Sequence, residues 1–150
     1  MDINSYAVDI EKEQNGSWIE IDDDGTELLI ARMNNPAYKR EIERLKAPYR
    51  KQIRKDELSE EKSAEILAKA MAKTILLGWR GLTINGQEHP YTYENALHLL
   101  TDPKYKEFLS HVIMLSNDIE NFRNEEIKKM GKDSAPTSDG ALSGVDSANS

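Results

Sequence analysis

At 150 residues, with 20 Lys and Arg against 27 Asp and Glu for a net charge of −7, the chain has the size of one well-solvated domain. It contains no Cys, which excludes disulfides, thiolate metal sites and a cysteine nucleophile and fits a reducing cytosol. The acidic balance argues against nonspecific binding of nucleic acid or an anionic membrane by the whole protein, because phosphate contacts need a basic surface.

Met1-Asp2-Ile3-Asn4-Ser5 has no positive run leading into an apolar one, so no signal peptide is expected. The most apolar stretch, Thr74 to Trp79, is far short of the roughly 20 residues that span a bilayer. Residues 1–15 are read as an N-terminal segment without assigned structure. Trp18 to Ile21 and Thr26 to Arg32 then read as two strands joined by Asp22-Asp23-Asp24-Gly25, an Asp-Gly hairpin signal. Leu28 and Ile30 share one face of the second strand and Leu29 and Ala31 the other, so both faces are expected to be partly covered.

Asn34-Asn35-Pro36 is a helix start, with Asn35 as cap and Pro36 at the first helical position. Tyr38, Ile42, Leu45, Tyr49 and Ile53 form one apolar stripe, interrupted by an expected kink at Pro48. Ser59 caps a helix predicted to run to Leu77 and to end at Gly78, with Ile66, Leu67, Ala70, Met71, Thr74 and Ile75 as its buried seam. Asn85-Gly86 marks a tight turn, and Thr92 caps a short helix carrying Ala96, Leu97, Leu99 and Leu100. Asp102-Pro103 starts a last long helix with Tyr105, Phe108, Leu109, Val112, Leu115, Ile119 and Phe122 as its seam. From Gly131 the composition turns to Ser, Gly, Ala and Asp, which predicts a disordered tail over 131–150. The fold class is therefore mainly α (α+β): a short N-terminal hairpin, then a bundle of about four helices, in one domain over 16–130.

No catalytic, cofactor or metal site emerges. His89, His98 and His111 are the only histidines, and no two have the spacing of a helical metal pair. Glu20-x-Asp22-x-Asp24-Gly25 imitates a calcium loop, but its twelfth position, counted from Glu20, is Ala31 rather than a bidentate carboxylate. Neither a Gly-x-Ser-x-Gly elbow nor a glycine-rich phosphate cradle occurs.

Two places are candidates for binding a partner. Trp79, Tyr91 and Tyr93 flank a loop, where large rings either anchor a partner or pack the loop onto the helices; packing is the favoured alternative. Lys39, Arg40, Arg44, Lys46, Arg50, Lys51, Arg54 and Lys55 crowd around Pro48 with only Glu41 and Glu43 among them. This basic segment reads as a solvated helix face or a dock for an acidic partner, and less well as a nucleic-acid groove, since Tyr38 and Tyr49 belong to the apolar stripe.

Several pieces taken in order carry a resemblance. They are Trp18-Ile19-Glu20-Ile21 with its Asp-Gly turn, Ala31-Arg32-Met33-Asn34-Asn35-Pro36-Ala37-Tyr38 and Leu77-Gly78-Trp79-Arg80-Gly81-Leu82. Tyr91-Thr92-Tyr93-Glu94-Asn95-Ala96-Leu97-His98-Leu99-Leu100 and Thr101-Asp102-Pro103 complete the series. Over about Gly16 to Met130 the chain resembles the tail assembly chaperones of long-tailed, lambda-like phages. The resemblance implies a non-enzymatic protein of the bacterial host cytoplasm, absent from the mature virion, that keeps the helical tape measure protein soluble until the tail tube forms. It also implies, as in many members, a longer frameshift product that recruits tail tube protein, and it leaves self-association open; Gly131-Lys132, where the folded part is expected to end and whose codons can form a slippery run, is the place for the slip on position alone. The alternatives are a small structural tail or connector protein, or a nucleic-acid-binding regulator using residues 39–55.

Overall fold

A computed structural model describes residues 1–124; the polar tail 131–150 and Gly131-Lys132 lie outside the described residues. Two units are distinguished. In the first, Met1–Asp9 with Arg123 and Asn124, the Asp2 side chain accepts from Asn4 N (2.9 Å) to cap a 3-10 turn over Ile3–Tyr6. Val8 pairs with Arg123 through an antiparallel bridge.

The second unit, Ile10–Phe122, begins with α1 (Ile10–Asn15), a helix not expected from the sequence. Gly16 ends it at φ +97°, the left-handed position that glycine adopts without a Cβ clash, and its N–H bonds back to Lys12 O. The predicted hairpin follows as β1 (Ser17–Glu20) and β2 (Glu27–Ile30). Asp22 Oδ1 accepts from both Asp24 N and Thr26 N at 3.0 Å and so closes the turn. Those hydrogen bonds, that from Thr26 N foremost, hold the Asp22 carboxyl below its ordinary range. The acidic run thus folds its own turn.

A third strand corrects the reading of the central helix. α4 spans Glu60–Thr74, and Leu76–Arg80 form β3, antiparallel to β2 with Leu28 opposite Trp79 and Leu29 opposite Gly78. The sheet order is β1-β2-β3. Gly78 is therefore a strand residue and no helix stop. A Cβ there would lie 3.6 Å from Leu29 Cβ and 3.7 Å from the Trp18 ring, ordinary contact distances, so Leu29 and Trp18 flank this position of β3. Short apolar runs do not distinguish helix from strand by period, and here the free edge of β2 decides.

The helix starts follow the sequence. Asn35 caps α2 (Pro36–Lys46), a 3-10 turn at Ala47–Tyr49 breaks it around Pro48, and α3 (Arg50–Arg54) continues. Asn85 and Gly86 take positive φ in the turn between β4 (Thr83–Ile84) and β5 (Gln87–Glu88). Thr92 caps α5 (Tyr93–Thr101), and Asp102 caps the 3-10 turn Pro103–Tyr105 that leads into α6 (Lys106–Asn117). The last helix stops short of its predicted seam, and Phe122 enters the core from a 3-10 turn over Ile119–Phe122.

α4 lies against α2 and α5, while α6 packs on α5 and β2. The core joins Leu28 and Ile30 of the sheet to Ala70, Met71, Leu99, Val112 and Phe122. Because α4 is covered on two flanks, its buried residues include Ala68 and Ala72 as well as Ile66, Ala70, Met71 and Thr74. Leu67, expected in the seam, faces outward and is 37% exposed. No helix among the described residues is long and apolar enough to cross a membrane.

Candidate functional site

Trp79 lies on β3, and only 7% of it is exposed. Its Nε1–H donates to His89 O at 2.6 Å, its ring stacks on His89 at 5.8 Å, and Tyr91 meets it edge-on at 4.9 Å. The Tyr91 hydroxyl donates to Leu76 O at 2.7 Å, and burial raises its pKa. Trp79 and Tyr91 therefore fasten the segment after β5 onto β3. Tyr93, at the first turn of α5, is 39% exposed and is the member of this trio that offers a ring to solvent.

The basic segment occupies the outer side of α2 and α3. Lys39, Arg40, Arg44, Arg50, Lys51 and Arg54 are all exposed. Its two acids are already engaged. The buried Glu41 carboxylate accepts from Arg44 Nε (3.1 Å) and Nη2 (2.6 Å) and from Lys73 Nζ of α4 (3.2 Å), while Glu43 meets Arg50 at 3.6 Å. Lys39, Arg40, Lys46, Lys51, Arg54 and Lys55 make no ion pair among the described residues. Tyr38 is buried and Tyr49 lies under Lys62, 5.3 Å from its ring, so these cations are not interleaved with stacking rings.

The Arg44 hydrogen bonds lead in lowering the Glu41 pKa, so the charged form is favoured in the folded state. A lowered folded pKa adds stability above the unfolded value near 4.3, and that stability is lost as pH falls through the folded pKa. Glu41→Gln is expected to cost about 1–2 kcal/mol at pH 7. It should also flatten the acid limb of urea midpoint against pH below about pH 4.5. An unchanged acid limb would rule out Glu41 as the tie between α2 and α4.

Next to these cations the surface is hollowed in three places. A hollow of about 450 Å³ lies between α4, α5 and α6, lined by Leu67, Leu100, Pro103 and Leu109 together with Glu61 and Glu65. A second, also about 450 Å³, lies between α2 and α4 and is lined by Tyr38, Ile42, Lys46, Leu58, Ile66 and Leu67. The third, about 310 Å³, is formed by Glu43, Lys46, Arg50, Ile53 and Arg54. Leu67 belongs to the first two and Lys46 to the last two, so the hollows adjoin. Leu67 and Ile53, each 37% exposed, are the residues the sequence reading missed. Both sit on apolar stripes that read as core, and nothing local marks them as surface.

Among the described residues no cluster of three or more His, Asp or Glu is placed to hold a metal ion. A family model described as YdaY prophage protein matches residues 33–133. No curated protein and no solved structure gives a significant match.

Proposed function

The chain belongs to the YdaY prophage protein family, and from that premise we propose that it is a tail assembly chaperone that holds the tape measure protein soluble while the tail is built. It acts by binding rather than by catalysis, in the cytoplasm of the bacterial host, and leaves before the virion is complete. The resemblance over about Gly16 to Met130 supports this reading, and the prophage family is consistent with it.

One surface feature carries the proposal further. The core is closed around Leu28, Ile30, Met71 and Phe122, yet Leu67 and Ile53 remain on the surface beside adjoining hollows. A holdase needs apolar surface beyond what its own core uses, with charge nearby to keep complexes soluble.

Co-expression with the tape measure protein of the same prophage provides the test. The expected result is that the tape measure protein moves from the pellet into the soluble fraction and co-purifies with this chain. A tape measure protein that stays insoluble, or recovery of this chain from purified virions, would overturn the proposal; the latter would favour a structural tail or connector component.

A further inference from the structure

We propose that the three adjoining hollows form one docking track for an amphipathic helix whose apolar residues seat around Leu67 and whose carboxylates face Lys46, Arg50 and Arg54. This rests on the binding role proposed above and adds the chemistry of the partner segment.

The physical case starts from charge. Lys46, Arg50 and Arg54 follow one another at four-residue steps and line the same hollow, with Ile53 among them. Glu43 is the single acid in that wall, and it meets Arg50 at 3.6 Å between two well-exposed side chains, a pairing that an incoming carboxylate can replace at little cost. Lys46 and Arg54 have no ion pair among the described residues. The protein carries a net charge of −7, so a cationic hollow with unanswered charge is a local feature awaiting an acidic complement.

The floor of the track decides the class of partner. Lys46 joins the cationic hollow to the apolar one holding Ile66 and Leu67, and Leu67 joins that to the wall of Leu100 and Leu109. A phosphate backbone would find cations at one end only and then an apolar surface whose one ring, Tyr38, is buried and offers no free face for stacking. An amphipathic helix presents apolar side chains at three- and four-residue steps and charge beside them, which is the complement of this layout. Glu61 and Glu65 line the hollow that lacks these cations, although Glu65 already meets Lys62 at 3.1 Å and Lys69 at 2.7 Å. Like-charge repulsion from Glu61 would therefore direct the acidic end of the partner helix toward α3.

The test uses the full chain and fluorescein-labelled synthetic helices read by fluorescence anisotropy. One peptide carries Leu at positions i, i+4 and i+7 with Glu clustered at one end; a second has those Glu changed to Lys. The wild-type chain is expected to bind the first peptide and to lose affinity as salt rises. Leu67→Glu, and separately the pair Lys46→Glu with Arg54→Glu, should each weaken it about tenfold or more. The paired variant should in turn prefer the Lys peptide, a reversal that general destabilisation cannot produce.

Melting temperatures of both variants check that they fold. Equal affinity of the wild type and the paired variant for the Glu peptide, or displacement of that peptide by single-stranded DNA at comparable concentration, overturns the docking track. Co-expression with the tape measure protein separates the two proposals. If the tape measure protein is held soluble by wild type and both variants alike, the chaperone reading stands and the track fails. If it is held by none while the peptide pattern is as expected, the track stands and the tape measure assignment fails.

Discussion

Replacing Trp79 by Ala is expected to lower stability by about 3–5 kcal/mol, which for a domain of this size shifts the melting temperature on the order of 10 °C. The side chain is nearly buried between β2 and the segment after β5, with His89 stacked on one side and Tyr91 edge-on. Truncation removes this packing and leaves a cavity that three short strands and a two-residue turn cannot easily close. It also removes the donor to His89 O, so a backbone carbonyl loses its partner. Trp79→Phe, which keeps most of the ring area, should cost less, about 1–2 kcal/mol, because mainly the hydrogen bond goes. Calorimetry on the three proteins would show this order. An Ala variant that melts with wild type but no longer holds the tape measure protein would make Trp79 a partner anchor instead.

Asn35→Ala should be the next most damaging change, at roughly 2–4 kcal/mol. Its Oδ1 accepts from Tyr38 N at 3.0 Å, which caps α2, while its Nδ2 donates to Arg32 O at 2.9 Å and Thr74 O at 3.3 Å. A single buried amide thus starts one helix and is tied to the last residue of another. Asn35→Ser retains an acceptor for the cap but cannot reach both carbonyls, so it should fall between wild type and Ala. Asp102, which stands before a similar Pro, accepts from Lys104 N in an exposed setting, and its loss should cost about 1 kcal/mol or less. Urea unfolding of Asn35→Ala and Asp102→Ala would separate the two. Equal small losses would show that burial adds nothing to the Asn35 cap.

That contrast shows what sequence can and cannot say. Asn35-Pro36 and Asp102-Pro103 look alike as strings, and both do start helical turns. Only the packing of α2 against α4 makes the first a three-way junction. The kink at Pro48, the turns at Gly25 and Asn85-Gly86, and the caps Ser59 and Thr92 were likewise legible, because each depends on side chains within a few residues.

The candidate site was less legible. The basic segment was found by composition, but its two acids being occupied by Arg44, Lys73 and Arg50 depends partly on a residue from another helix. Leu67 and Ile53 follow the apolar period of their helices and were read with the core, since period locates a stripe without fixing how far the neighbouring elements cover it.

By itself, then, the sequence determined where α2, α4 and α5 begin, where the chain reverses, and that thiolate chemistry is excluded. Tertiary structure alone decided that Leu76–Arg80 becomes a strand and that Leu67 stays outside. The physical reason is range: caps and turns are satisfied by atoms a few residues away, whereas β3 needs the free edge of β2, some 46 residues earlier at the Ile30–Leu76 pair, before its hydrogen bonds exist at all.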